Sequence, residues 1–500
     1  MKFYINSILL CLLLVGVSTN SVFAQERYRC GNKATEIEKE ILLANKRTLK
    51  TAGKKLVENR YVPVQFHSVG TTDGGGHTPF PNILEALCTL NSQFDPYQVV
   101  FYLADEPLQH NNTTATDTPG AAFSFLNSRK NNSAMNIFIC QSAGQGVAGY
   151  YTPGGDYIVI QQSDIVDSSS TLTHEAGHFF SLAHPHRGWE DTPYSPSVHG
   201  ETVTLLETGS SQSATVDVEL VDRSNCDVAA DFVCDTPVDY GFGQNITTCV
   251  NPYTVFDRNG DLIVTDPQNY MAYYFNCVDE HFTDDQEDLV HVDFDSNRRN
   301  YIRSDYQPDT IPPSDLVVQS SPAQNETVEF FDFVELEWEP VEYATKYIVE
   351  IISSSSLTYI TEETNFTALE LDPNKVYFWK ITPYNEVGNC GGTSNGLFMT
   401  SDVSSTAVNE LDLVSKFSVL PNPTNGANNL TISIESNAAV QGIFSLYDIT
   451  GRNVKAYNQK NIKAGKQKIN LDISDINDGV YIVNFASQEG ILTEKIIINK

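Results

Sequence analysis

The sequence predicts a multidomain chain: an α/β domain with a mixed sheet and one histidine-bearing helix, then two all-β sandwich domains. Three observations predict it. Apolar strand patterns and a histidine-rich helical stretch fill the chain up to residue 306. Pro308, Pro312 and Pro313 then break the pattern, and prolines so clustered mark a linker. Beyond them, short runs alternate apolar and polar residues with period two, as half-buried strands do.

The bulk properties narrow the functional classes. The 500 residues call for more than one domain. The formal charge is -32, from 63 acids against 31 bases. A field of that sign repels phosphate, which excludes nucleic acid and anionic membrane as partners. Residues 1–24 read as a signal peptide: Lys2, an apolar run over 8–17, then Val22, Phe23 and Ala24 at the cleavage positions. No later stretch is long and apolar enough to span a membrane. Eight cysteines follow the leader, and export permits disulfides among them.

Residues 25–60 are mixed and locally basic, with Lys46, Arg47, Lys50, Lys54 and Lys55. They read as a short pro-segment with a helix over 36–49. The α/β domain spans 61–306, with strands expected at 62–66, 99–103, 135–140 and 157–161. A helix follows that carries most of the chemistry. Residues 173–186 read THEAGHFFSLAHPH, holding four of the chain's ten histidines. A serine at 168, 169 or 170 can cap this helix. His174 and His178 are then i and i+4 on one face. Two imidazoles so spaced can hold one zinc ion, with Glu175 beside them as general base to a metal-activated water. His184, ten residues after His174, offers a third ligand, and Pro185 stops further helix. His67, His77 and His199 read as structural, and His186 as a rim residue.

Residues 307–402 form the first sandwich. Val334, Leu336 and Trp338 alternate with glutamates, and the run VYFWKIT begins at Val376. The stretch resembles a fibronectin type III module, with Leu371 six residues before Tyr377 as in that family's tyrosine corner. Residues 403–415 form a polar linker, and residues 416–500 a second sandwich. PNPTNG at 421–426, LYDITGR at 446–452, GVYI at 479–482 and KIIINK at 495–500 occur there in order. This unit resembles the C-terminal sorting domain of the type IX secretion system of Bacteroidetes. The resemblance implies contact with that machinery, export across both membranes of a Gram-negative bacterium, and a secreted or cell-surface location.

The first domain resembles the metzincins, whose motif is His-Glu-x-x-His-x-x-Gly-x-x-His, and within them the cytophagalysin/pappalysin endopeptidases. The family resemblance rests on YVPVQFH at 61–67, MNIFI at 135–139, CDTP at 234–237, NYM at 269–271 and FTDDQ at 282–286. It implies a zinc endopeptidase acting on proteins or peptides. His174, His178 and His184 would be the zinc ligands, Glu175 the base, Met271 the methionine turn and Tyr273 an oxyanion-stabilising tyrosine. YRCG at 28–31 matches the family's latency motif, with Cys30 placing its thiolate on the zinc of a zymogen. A disulfide between Cys249 and Cys277, flanking the methionine turn, is implied by relatives. Calcium is implied near Asp227, Asp231 and Asp235, although an acidic loop accounts for the same residues. The Asp257 to Asp261 stretch reads as a hairpin turn. The motif's glycine falls at Ser181. Either the serine takes a left-handed conformation at about 1 kcal/mol of strain, or the helix runs on and His184 reaches the metal by another path. The reading from a different class is a secreted adhesin on a decayed protease fold.

Overall fold

The structure, a computed structural model, describes residues 28–52, 58–144, 146–166, 169–209, 215–312, 317–369, 371–388, 392–404, 413–424, 426–448, 452–487 and 490–499. The leader, Cys390 and residues 405–412 of the expected linker lie outside them.

The first domain is built on β1 (Tyr28–Cys30), β2 (Arg60–Gly70), β3 (Val99–Leu103), β4 (Leu108–Asn111), β5 (Met135–Cys140), β6 (Val147–Thr152) and β7 (Tyr157–Gln161). The sheet order is β1-β6-β7-β5-β2-β3, with β4 also on β2. β2, β3, β5 and β7 run parallel, and β6 alone runs antiparallel to its neighbour β7. The four expected strands lie within β2, β3, β5 and β7. β5 is buried along its whole length and β2 nearly so, as strands covered on both faces must be. β4 and β6 escape sequence reading for different reasons. β4 is polar and mostly exposed, while β6 mixes Ala148 and Gly149 with tyrosines and has no clean alternation.

Residues upstream of 60 belong to this domain physically. β1 adds to the edge of β6 in parallel, pairing Cys30 with Gly149. The helix Glu36–Ala52, slightly longer than expected, follows. Its Leu42 is 1% exposed and joins the main core.

The histidine-bearing helix is Thr171–Phe179, and every residue of it is buried. Its C-terminal carbonyl needs a donor from outside the helix. Arg298 Nη2 and Arg299 Nη2 both donate to Phe179 O. Arg299 is fully buried and pairs with Asp293 (2.9 Å) and Asp156 (2.7 Å). Asp293 lies on the helix Asp284–Asp295, whose start is fixed by a reciprocal capping box between Thr283 and Gln286. This knot of charge anchors the end of the histidine helix.

The 317–404 unit is a sandwich of a three-stranded and a five-stranded sheet. Its tyrosine corner forms: Asp372 N donates to Tyr377 Oη at 2.7 Å beside the buried Leu371. The module also covers the β3 edge, since Leu103 N donates to Glu386 O at 2.6 Å, which protects an otherwise open strand. The last unit is again a three-stranded sheet and a five-stranded sheet. Its first strand, Val414–Leu420, starts within the expected 403–415 linker. Val419 is the residue of that strand fully inside the core, so its apolar signal is short.

Without Asp293, Arg299 keeps the ion pair with the half-buried Asp156 alone. Asp293→Ala should destabilise the first domain by about 3–5 kcal/mol, the cost of breaking a buried ion pair, measured as a shift of its urea unfolding midpoint.

Candidate metal centre

The helix Thr171–Phe179 presents His174 and His178 on one face, as their spacing requires. Ser170 occupies the N-cap position with no side-chain cap bond. Its backbone is not extended (φ -90°, ψ 1°), and the hydroxyl of Ser169 instead accepts from Thr171 N.

The helix ends in a Schellman turn. Ser181 N donates to His178 O and Leu182 N to Gly177 O, both at 2.9 Å. Ser181 has φ 69°, so of the two expected paths the left-handed one holds. The reversal aims Leu182 O at His178 Nδ1 (2.7 Å) and returns the chain so that His184 meets the other two imidazoles. His178 Nε2 lies 3.0 Å from His184 Nε2, which lies 3.3 Å from His174 Nε2. One ligand atom from each of these histidines and Cys30 Sγ all fall within 4.8 Å of one another.

The outer nitrogens decide what the inner ones can do. His174 Nδ1 bonds Tyr270 O at 2.7 Å and His178 Nδ1 bonds Leu182 O. A carbonyl only accepts, so both Nδ1 atoms carry the proton and both Nε2 atoms present bare lone pairs. Burial holds His178 down to about 4 and pushes His184 well below the usual imidazole range. Neutral imidazoles with converging lone pairs lack a shared proton and suit a cation. Their spacing fits one tetrahedral zinc, whose ligand nitrogens at about 2.0–2.1 Å lie about 3.3 Å apart.

Glu175 is fully buried beside the cluster. Cys30 Sγ donates to its Oε2 at 3.5 Å, and its Oε1 has no hydrogen-bond partner in the protein. Burial pushes its carboxyl up to about 8. Burial, then the Glu175 charge, likewise raises the Cys30 thiol. Room for the carboxylate comes from Gly149 on β6, where a Cβ would lie 3.1 Å from Glu175 Oε1. Met271 is fully buried under the helix. A Cβ on Gly177 would meet its sulfur at 2.5 Å, so glycine allows Met271 its close approach. Tyr273 Oη donates to Cys30 O at 3.1 Å, and its ring lies 4.7 Å from that of His184.

Other expectations divide. Cys249 and Cys277 form a disulfide, as do Cys226 and Cys234. Cys88 is disulfide-bonded too, while Cys30 and Cys140 are free and buried. Asp227, Asp231 and Asp235 are engaged separately. Asp227 pairs with Lys46 and Lys50, Asp231 accepts from Val233 N and Thr236, and Asp235 accepts from Thr283 and Asp285 N. Asp257 Oδ1 accepts from Asn259 N and Asp261 N, which makes the expected turn. His67 bonds Asn136 and His110, and His77 bonds Asn111 and Ser68, so both sit in polar networks. His186 is not on the rim: it is fully buried and stacks on His184 at 4.7 Å. The residue sequence reasoning missed is Glu190. Its Oε1 bonds His184 Nδ1 at 3.3 Å and its Oε2 accepts from Gly188 N. Burial pushes Glu190 up to about 8, so near neutral pH the contact is a hydrogen bond between largely uncharged groups, although its geometry is that of an ion pair. No spacing rule signals it.

Residues 418–499 match the family model of the secretion system C-terminal sorting domain. The chain is therefore exported, to be secreted or attached at the cell surface, as in Bacteroidetes that carry this domain. No helix among the described residues is long and apolar enough to cross a membrane. No curated protein matches the chain in sequence. Among solved structures, the FN1–FN3 domains of chicken CNTN1 are 12% identical, covering 38% of this chain and 69% of that one, with a TM-score of 0.16. The BSP domain of a biofilm associated protein is 13% identical, covering 37% of this chain and 30% of that one, with a TM-score of 0.14. Likenesses at that level carry no functional weight.

The hydroxyl of Ser181 accepts from Asn45 Nδ2 at 2.7 Å, so it touches the upstream helix. Ser181→Gly removes about 1 kcal/mol of left-handed strain and one hydrogen bond of similar worth. The substitution should be near neutral with residues 28–52 docked. It should stabilise by about 1 kcal/mol once they are removed, as read by urea melts of both forms.

Proposed function

We propose that the chain is a secreted zinc-dependent endopeptidase made as a zymogen. The observation that carries this reading is the convergence of three histidine Nε2 atoms, two of them with bare lone pairs, beside a buried carboxylate, with the thiol of an upstream segment closing the group. His174, His178 and His184 would hold the ion, and Tyr270 O, Leu182 O and Glu190 orient them from behind. Bound there, zinc supplies Lewis acidity, which acidifies water and polarises a peptide carbonyl.

The chain's own groups do the rest. Glu175 takes a proton from the attacking water and passes it to the leaving amine. Tyr273 Oη donates to Cys30 O in the latent chain. When that carbonyl leaves, the hydroxyl is free to donate to an oxyanion. The β6 edge, covered by β1 in the latent chain, then takes an extended peptide as an added strand. Cys30 keeps the chain latent by occupying the space beside Glu175.

Glu175→Gln should lower casein cleavage by about 10²–10⁴-fold. Cleavage equal to wild type would leave the chain a binding protein on a protease-like fold. Stripping the metal with a chelator should abolish cleavage, and zinc should restore it. Cys30→Ala should be active without removal of the pro-segment, as measured by cleavage by the intact full chain.

A further inference from the structure

Arg187 is 1% exposed, and its partners are unusual. Its Nη2 donates to Thr35 O at 3.2 Å, and its Nε faces Glu38 Oε2 at 3.5 Å. Both partners lie in the pro-segment. Nε and Nη1 have no hydrogen-bond partner, and the guanidinium rests over the Phe232 ring at 5.3 Å. The carboxyl of Glu190 is close enough to feel the Arg187 charge. Its oxygens, though, are taken by His184 Nδ1 and Gly188 N. In this structure the polar contacts of the Arg187 side chain are Thr35 and Glu38, and no carboxylate of its own domain is among them.

Its place in the chain puts it at the reaction centre. Arg187 N donates to His184 O at 2.9 Å, so the side chain starts one tight turn from the third histidine. The pro-segment runs from Cys30 at the histidines, past β6, to Glu38 at Arg187. Resting on the endopeptidase reading, we propose that Arg187 is a specificity residue whose guanidinium receives an acidic side chain of the substrate, and that Glu38 fills this subsite in the latent chain.

The chemistry favours a carboxylate. Guanidinium is always charged, and its planar fork matches a carboxylate in geometry as well as sign. A desolvated cation without an anion is unfavourable, so an acidic substrate side chain restores what the departing Glu38 removes. Glu38 also has a local duty: its Oε2 accepts from Thr35 N, and its N donates to Thr35 Oγ1. Glutamine would serve that capping box equally well. Only the pairing with Arg187 demands the charge.

The test uses the full chain after proteolytic removal of its pro-segment. Cleavage-site profiling on a peptide library should show Glu and Asp enriched about tenfold or more at one position, the worth of a charge-assisted hydrogen bond. Arg187→Gln should flatten that preference, and Arg187→Glu should turn it toward Lys and Arg. No acidic enrichment in wild type, or enrichment that survives Arg187→Gln, overturns the proposal. If wild type cuts nothing, the endopeptidase reading falls, and binding decides the subsite separately. A synthetic peptide of residues 31–42 and its Glu38→Gln form are titrated into the processed wild-type protein. Binding of the substituted peptide about tenfold weaker than that of the native one supports the subsite, and equal affinity sinks it.

Discussion

The reversal at Ser181 is the constraint on which the site depends. Without it, the helix would carry residues 180–184 away from His174 and His178. With it, Leu182 O locks the ring of His178 and His184 completes the triangle of nitrogens. A left-handed serine is strained, so the surroundings must hold it. They do so from two sides. Arg298 and Arg299 donate to Phe179 O, which satisfies the carbonyl at the helix end. Asn45 Nδ2 donates both to Ser181 Oγ and to Asp293 Oδ1. Asp293 therefore ties the helix end, the turn and the upstream helix into one polar knot. A glycine would make the turn more easily but would have no hydroxyl to offer Asn45.

The site is also deeply buried. The three histidines and Glu175 are between 0% and 3% exposed because β1 and the chain through Thr35 cover them. Burial raises the Glu175 carboxyl and lowers the imidazoles of His178 and His184. Both directions favour uncharged side chains, which assemble without repulsion. Neutral imidazole is the form that ligates a metal. In the covered chain, Glu175 bonds the Cys30 thiol and has no access to bulk water.

Much of this was legible because period and spacing are local signals. His174 and His178 four apart, His184 ten on, and the alternation in β2, β3, β5 and β7 all follow from geometry within one element. The departure at Ser181 was legible too, since a motif that expects glycine fixes the backbone conformation the serine must adopt. What stayed hidden depends on chain segments far apart. Glu190 supports His184 through a loop with no repeating pattern. Asn45 reaches Ser181 across 136 positions. His186 looked peripheral because its ring contacts with His184 and the distant Tyr273 cannot be read from the run AHPH. β6, which lies against Glu175, was missed because it trades apolar alternation for Gly149, the residue that makes room for that carboxylate.

The docking of residues 28–52 has a consistent electrostatic logic. The chain as a whole is strongly acidic, and residues 28–52 meet the rest of it with lysines. Lys33 pairs with Asp191 at 2.5 Å and Lys46 with Asp227 at 2.6 Å, and Lys50 adds to the same Asp227. Exposed pairs of this kind contribute little and are screened by salt. They steer the segment more than they hold it. The hold comes from parts that leave water: β1 on β6, Leu42 in the core, and Cys30 among the histidines. Glu38 reverses the charge pattern, an acid meeting a buried arginine. In a segment otherwise matched to acids, that inversion shows that the surface beneath it differs in kind from the rest, and it lies one turn from the third histidine.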